Sequence, residues 1–421
     1  MSTKGHVVLV DAFGTARFYP PEFRDAGYEC VRVQSTPEQP AAFASSLDLS
    51  LYADNIVHHG DFEDTLRRVS AYEPVAVMAG HEFGVEFADR LSEALGGVPT
   101  NGTALSKARR DKYTMIETIK AAGLRGARQL LATSADELKA WHEEHGGRVV
   151  VKPLSSAGND GIRFCDTPQD SAAAFLELTG ADNLFSQRNE GVVAQEYLYG
   201  GEYMINTVSR DGRHHVTDII ATTRISVNGV HDISNSVYLL PRRGDVQDRL
   251  VPYALSVLDA LGVRHGPAHI ELKLTPEGPV LIEMGARVSG GDLPYYVRKA
   301  TGESPFDWAV DAYVRPERFR ARHAQDYTIK QHFASVGLVS PTTGRLAGLR
   351  HIEDIKKLES FYDFSQFVPV GGDIVPTTCD FTYVGFVRLF HEMEEVVMRD
   401  IGTIHYLDGE GMYELAGEES A

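Results

Sequence analysis

The sequence predicts a mixed α/β and α+β fold: an N-terminal open α/β domain, a central antiparallel α+β domain and a smaller C-terminal domain. Three observations carry this. The opening stretch "HVVLVDAFGTARFYPPEFRDAGYECVRV" runs strand, glycine loop, helix and strand, as an open α/β sheet begins. From "RVVVKPL" onward, strands follow one another through short turns such as Asp211-Gly212, an antiparallel pattern. A chain of 421 residues, 43% of them hydrophobic, can fill more than one core.

In chain order, "PVAVMAG" is a further buried strand of the first unit, and "HEFGVEFADRLSEALG" is an amphipathic helix closed by Gly96 and Gly97. The loop "DAFGTA" lacks the full glycine pattern of a dinucleotide site, which disfavours a nicotinamide oxidoreductase. Residues 103 to 122 read as a helix ending at Gly123. The strands "RVVVKPL", "VVAQEYL", "EYMINTVSRDGRHHVTDIIATT" and "AHIELKLTPEGPVLIEM" build the central unit. After about residue 310 come shorter strands and turns, "GRLAGLRHIEDI" and "VGGDIVPTTCDFTYVGFVRLF", and then a closing helical run.

Charge and cysteine usage narrow the function. Lys and Arg total 41 against 59 Asp and Glu, a formal charge of −18. Nucleic acid and anionic membranes are not drawn to such a surface, so no partner of either kind is expected. Cys30, Cys165 and Cys379 are too scattered for a disulfide framework or a zinc cluster, and they suit a reducing, cytoplasmic compartment. No apolar run approaches a membrane span, and no signal peptide is evident.

The chemistry centres on "HIELKLTPEGPVLIEMGARVSGGD". Glu271 and Glu283 are equidistant from residue 277, so a hairpin turning there sets them opposite each other. Facing carboxylates destabilise a sheet unless a cation lies between them, and carboxylates with phosphate oxygens and water suit Mg²⁺. A solvated sheet face with two surface glutamates is the plain alternative. His269, Glu271 and Lys273 alternate onto one face, and Arg287 follows Glu283 by four residues, which favours the metal. A planar, permanently charged guanidinium there suits a phosphoryl group or a substrate carboxylate. Gly290 and Gly291 let a substrate approach the backbone, with Ser289 and Asp292 beside them.

Two further elements complete the pattern. In "VVVKPLSSAGNDGI" a β-branched strand delivers Lys152 to a loop whose Ser155, Ser156 and Gly158 can bring backbone N–H groups against phosphate oxygens. It is not a Walker loop, because the Gly-Lys-Ser/Thr order is absent. In "VVAQEYLYGGEYMI" an apolar strand leads into Gln195, Glu196, Tyr197 and Leu198, a main-chain segment able to hold adenine, with Glu202 placed for ribose hydroxyls. Each segment taken singly is an ordinary turn between strands.

In order and spacing these elements resemble the ATP-grasp carboxylate–amine ligases, closest to the L-amino-acid ligases that make dipeptides, a group that includes the bacilysin-type ligase and carnosine synthase. "MAGHEFGVEFADRLSEALGG" and "ARRDKYTMIETIKAAG" carry the likeness into the N-terminal half. The resemblance implies an N-terminal pre-ATP-grasp domain at 1–105, an ATP-grasp domain at 106–310 with its lid near 125–195, and a C-terminal domain at 311–421 completing the active site. It implies that Lys112 and Lys152 contact ATP phosphates, that Glu271 and Glu283 bind Mg²⁺ (Mn²⁺ being admissible), and that Glu82 and Arg287 meet the amino-acid substrates. His231 is a further candidate for the acyl-phosphate site. The implied reaction joins two L-amino acids through an acyl phosphate, releasing ADP and phosphate, in a cytoplasmic homodimer. Gly285 departs from the Asn that many ATP-grasp enzymes have there, and "EMGAR" is similar instead to the L-amino-acid ligases, where small residues separate the Glu from an Arg four residues on. A non-amino-acid amine as second substrate, and a nucleotide-binding scaffold without turnover, are the rival expectations.

Overall fold

The computed structural model describes residues 3–39, 43, 46–154, 161–181, 189 and 191–417. Its first unit is a parallel sheet of β1 (His6–Val10), β2 (Glu29–Gln34), β3 (Asp54–Val57) and β4 (Pro74–Ala79), in the order β3-β2-β1-β4. Helices α1 (Tyr19–Asp25), α2 (Phe62–Ser70) and α3 (Val85–Leu95) connect and cover it. The strands are apolar runs because both faces are buried. Val7, Leu9 and Met78 pack on one side with Tyr19 and Phe23, while Val8, Val10 and Val77 pack on the other with Leu91. Helix α3 ends at Gly96, whose φ of +63° few other residues adopt without strain.

The expected helix at 103–122 is shorter. Arg109 is fully buried against Asp89, which holds the chain in a single 3₁₀ turn, and α4 (Lys112–Ala121) starts only after Asp111 caps the Thr114 N–H at 2.7 Å. A second sheet follows, ordered β5-β8-β6-β7 and antiparallel: β5 (Gln129–Ala132), β6 (Val149–Pro153), β7 (Arg163–Cys165) and β8 (Val192–Glu196). Helices α5 (Ala135–His145) and α6 (Pro168–Leu178) back it, the latter opened by a Thr167–Asp170 capping box.

The largest sheet begins with β9 (Gly201–Arg210), β10 (Arg213–Val227) and β11 (Val230–Leu240). After α7 (Asp245–Ala260) it continues with β12 (Gly266–Thr275) and β13 (Gly278–Gly285). Helices α8 (Leu293–Thr301) and α9 (Pro305–Val314) then lead to β14 (His332–Leu338), β15 (Gly344–Leu349), β16 (Phe361–Gln366), β17 (Asp373–Ile374), β18 (Gly385–His391) and β19 (Tyr413–Leu415). The sheet order is β13-β12-β9-β10-β11-β14-β18-β16, and β17, β15 and β19 form a small separate sheet. Residues after 311 therefore extend the central sheet by three strands. The sequence shows no such continuity, because α7, the β12–β13 hairpin and the helices after it lie between β11 and β14. Ile270, Leu272 and Leu281 are essentially fully buried with α4 and α7, and truncating any of them to Ala costs about 2–5 kcal/mol.

The hairpin opposes Glu271 and Glu283 in register, but not by the symmetry that the sequence suggests. The turn residues are Pro276 and Glu277, flanked by the pair Thr275 and Gly278, so an unbroken ladder would set Glu271 against Ile282. A β-bulge between Glu271 and Leu272 on the ladder restores the glutamate pair. Bulges re-aim side chains. Here both Ile282 and Glu283 stay half-buried on a strand whose neighbours are buried.

Among the described residues no helix is long and apolar enough to cross a membrane.

Candidate active site

Two cavities are lined by residues of the β12–β13 hairpin, one by Glu271, Lys273 and Ile282 and the other by Glu283, Met284 and Gly285. The larger lies between the central sheet and the β5-β8-β6-β7 sheet. Val150, Ile162, Phe164 and Ile282 give it apolar walls, while Lys152, Glu202, Glu271 and Lys273 supply charge. Gln195, Glu196, Tyr197 and Leu198 line one edge. The Gln195 amide turns to Gln129 Oε1 at 2.8 Å, and the N–H groups of Glu196 and Tyr197 donate to the carbonyls of Arg128 and Arg148. The Leu198 N–H has no intramolecular partner among the described residues, so it is the donor this edge can offer a planar base.

The polar end is a network that sequence reasoning largely missed. Glu202 pairs with Arg224, and Lys273 Nζ lies 3.7 Å from its other oxygen. Asp232 accepts from Lys273 at 2.9 Å and from the Tyr197 hydroxyl at 2.8 Å, and its backbone carbonyl accepts from Arg224 at 2.5 Å. Asp232 sits at φ +59°, a position Asp and Asn tolerate better than most residues. The turn "VNGVHD" was the only local signal for it. His231 also lines this cavity, against Phe164 and with Nδ1 3.0 Å from Ser226 Oγ. It thus stands with the Gln195–Leu198 edge and not with Arg287, because β11 carries it to the end of the sheet that faces β7.

Lys112 and Lys152 converge on the paired glutamates. Lys112 Nζ lies 2.8 Å from Glu283 Oε2, delivered by the first turn of α4, whose backbone N–H donates to the Leu154 carbonyl. Burial alone would raise the Glu283 pKa, but Lys112, Lys152 and Arg287 hold it at about 2, so the carboxylate is ionised. Burial and the neighbouring Lys112 depress Lys152 to about 8. Glu271 takes its orientation from His269, whose Nε2 is 3.1 Å away and whose Nδ1 contacts Asn206 Oδ1 at 2.8 Å. Asn206 in turn donates to the buried Asp218. Two opposed carboxylates, one fixed by a histidine and one ionised between lysines, fit a hard divalent cation that also takes phosphate oxygens. Among the described residues no group of three His, Cys, Asp or Glu gathers as a self-sufficient cage, so such an ion draws the rest of its shell from substrate and water.

The smaller cavity is lined by Glu82, Arg110, Lys112, Glu283, Gly285 and Arg287. Glu82 bridges the two arginines, with Arg287 Nε at 2.9 Å and Arg110 Nη1 at 3.0 Å. Burial opposes its ionisation, yet these guanidinium groups keep its pKa below the ordinary value. Arg287 Nη1 donates to the Val288 carbonyl, which leaves Nη2 without an intramolecular partner among the described residues. Gly285 explains its own departure from the family: a Cβ there would lie 2.6 Å from Glu82 Oε2. An Asn at 285 and this Glu82–Arg287 pair exclude each other. Beyond Arg287, Ser289 is buried, and added Cβ atoms at Gly290 and Gly291 would meet nothing within 4 Å. Ser155, Ser156 and Gly158 lie outside the described residues.

Comparison with known proteins agrees with this geometry. Residues 146–294 match the family model described as an ATP-grasp domain. The chain is 33% identical over 386 residues to dapdiamide A synthase of Enterobacter agglomerans, covering 90% of each protein. It is 23% identical over 190 residues to the L-arginine-specific L-amino acid ligase of Bacillus subtilis, covering 45% of this chain and 46% of that one. The crystal structure of an L-amino acid ligase from Bacillus licheniformis superposes with a TM-score of 0.76 at 19% identity, over 99% of this chain and 100% of that one.

Proposed function

The chain belongs to the ATP-grasp carboxylate–amine ligases, and from that premise we propose that it joins two L-amino acids, activating the first as an acyl phosphate and releasing ADP and phosphate. One observation carries the reading: Lys152 and Glu271 line the nucleotide cavity, Lys112 and Glu283 line a second cavity with Glu82 and Arg287, and the two sets face each other through the Glu271–Glu283 pair, with both lysines acting on Glu283. A phosphoryl group at that junction has the nucleotide on one side and the charged Glu82–Arg287 pocket on the other. The similarity to dapdiamide A synthase and to an L-arginine-specific ligase supports an amino-acid substrate.

In this mechanism the base lies along Tyr197 and Leu198, and Lys152 and Lys112 oppose the negative charge of the phosphates. Glu271 and Glu283 would hold Mg²⁺, which would supply neutralisation of phosphate charge. Glu82, an ionised carboxylate between two arginines, accepts hydrogen bonds from the ammonium group of the first amino acid. Arg287, braced by Glu82 and Val288, turns its remaining donor to the carboxylate oxygen as that oxygen attacks the γ-phosphorus. The amine of the second amino acid then attacks the acyl carbon, a tetrahedral oxyanion forms, and phosphate leaves. The same proposal includes a homodimer, which sedimentation velocity tests.

The experiment is nucleotide product analysis with Mg²⁺, ATP and pooled L-amino acids. Amino-acid-dependent ADP and phosphate is the expected result, and subdividing the active pool identifies the pair. AMP with pyrophosphate would overturn the acyl phosphate.

A further inference from the structure

One ladder of the central sheet runs through Lys273, Glu202, Thr222, Val237, Ser335, Arg388 and Asp363, each opposite the next. Its first two members belong to the nucleotide cavity. At the far end Arg388 is only 5% exposed, yet its Nε and Nη1 are buried without a hydrogen-bond partner. Its guanidinium is held between two aromatic rings, 4.9 Å from the Tyr296 centroid and 5.0 Å from that of Phe386. Asp363 Oδ1, across the ladder, is likewise buried and unpartnered, while its Oδ2 accepts from the Tyr296 hydroxyl at 3.3 Å. An arginine so desolvated and so poorly hydrogen-bonded costs stability unless an anion completes it.

Asp292 does not complete it. Although its field reaches Arg388, Asp292 is taken by a two-pronged pair with Arg17, at 2.8 and 2.6 Å. Asp292 also ends the loop that begins at Arg287, and five residues of chain span at most about 18 Å. Between them lie Gly290 and Gly291, with open space where side chains would be, and Ser289, whose Oγ is buried without a partner. Half-exposed Tyr295 and Tyr362 mark where this seam meets solvent.

On the basis of the ligase reading above, we propose that Arg388 anchors the carboxylate that the reaction leaves intact, the one carried by the amine-donating amino acid. The carboxylate of the first substrate is consumed at the phosphoryl end, where Lys112, Lys152 and Arg287 already stand. A second carboxylate needs its own cation away from those groups. Arg388 supplies two directed donors to that carboxylate. The amine donor then lies along Gly290 and Gly291 with its amine toward Arg287. The C-terminal strands thereby select for a free acid.

The test compares amine donors as free acids with the same compounds as primary amides, measuring kcat/KM from ADP release. Wild type is expected to prefer the acid, and Arg388→Gln to erase about 10- to 100-fold of that preference while still turning over the amide. An undiminished preference in Arg388→Gln makes Arg388 a structural residue and overturns the proposal. Should the Gln variant fail to fold, Arg388→Lys, which keeps the charge but not the forked donors, is expected to raise KM for the acid with kcat nearly unchanged. An unaltered KM in that variant is equally fatal. Failure of the ligase reading itself shows differently, as wild-type protein that yields no amino-acid-dependent ADP.

Discussion

Replacing Glu283 by Gln removes one charge while keeping the shape of the side chain and one oxygen to accept from Lys112. In the structure Glu283 Oε2 lies 2.8 Å from Lys112 Nζ, and its side chain is 28% exposed against 8% for the lysine. Breaking a fully buried pair costs about 3–5 kcal/mol, and partial exposure of the glutamate reduces this. Relief of the opposition to Glu271 returns a few tenths to 1 kcal/mol. The net cost is about 1–2 kcal/mol, a Tm decrease of about 1–2 °C for a chain of 421 residues. Turnover is expected to fall far more, about 10²- to 10³-fold or beyond, since a group that organises charge at the phosphoryl centre is lost. Coupled ADP release beside a melting curve separates the two effects. The pH dependence gives a second check. The Glu283 pKa is depressed to about 2 from 4.5, so its stabilisation is present above about pH 4.5 and lost as pH falls toward 2. The Tm gap between wild type and Glu283→Gln must close over that window. Near-normal turnover, or a Tm gap indifferent to acid, refutes the reasoning.

Lys152 is depressed to about 8, so it is protonated below that pH and phosphates favour the protonated form. Mg·ATP affinity is expected to weaken as pH rises above 8, with proton uptake on binding near pH 8, measured by calorimetry in buffers of different ionisation heat; Lys152→Met abolishes the uptake. Without ligand the sign reverses for stability, because burial penalises the charged amine and the penalty is relieved as pH rises from 8 toward 10.5. Gly285→Ala forces a Cβ to within 2.6 Å of Glu82 Oε2, and a cost of about 1–3 kcal/mol with a large loss of kcat/KM is expected. Adding Glu82→Ala to that variant removes the clash but also the carboxylate shared by Arg110 and Arg287, so the double variant is expected to lose less stability than the two single costs summed and to stay inactive, a non-additive cycle read by melting and ADP release. Asp232→Asn keeps a residue tolerant of φ +59° but removes the charge that faces Lys273, so KM for ATP is expected to rise severalfold with kcat little changed.

The sequence by itself determined whatever depends on neighbours along the chain. Strand periodicity put His269, Glu271 and Lys273 on one face, and a turn signal at "TPEG" folded the following strand back beside them. The glycines closing α3 and the apolar parallel strands of the first unit were legible for the same reason: local propensity and period specify them without reference to the rest of the fold. Resemblance to a family then supplied Lys112 and joined it to Lys152, which the strand before the Ser/Gly loop had already singled out; no spacing rule links either lysine to the hairpin. Tertiary structure alone decided the rest. The bulge at Ile282 that makes the glutamates meet carries no sequence signature. Glu82 meets Arg287 across 205 residues, and Arg17 meets Asp292 across 275. The addition of β14, β18 and β16 to the central sheet brought Arg388 onto the ladder that begins at Lys273. Such pairings arise where elements distant in sequence pack together, and each is fixed by the shape and charge of both partners, information that no single stretch of chain contains.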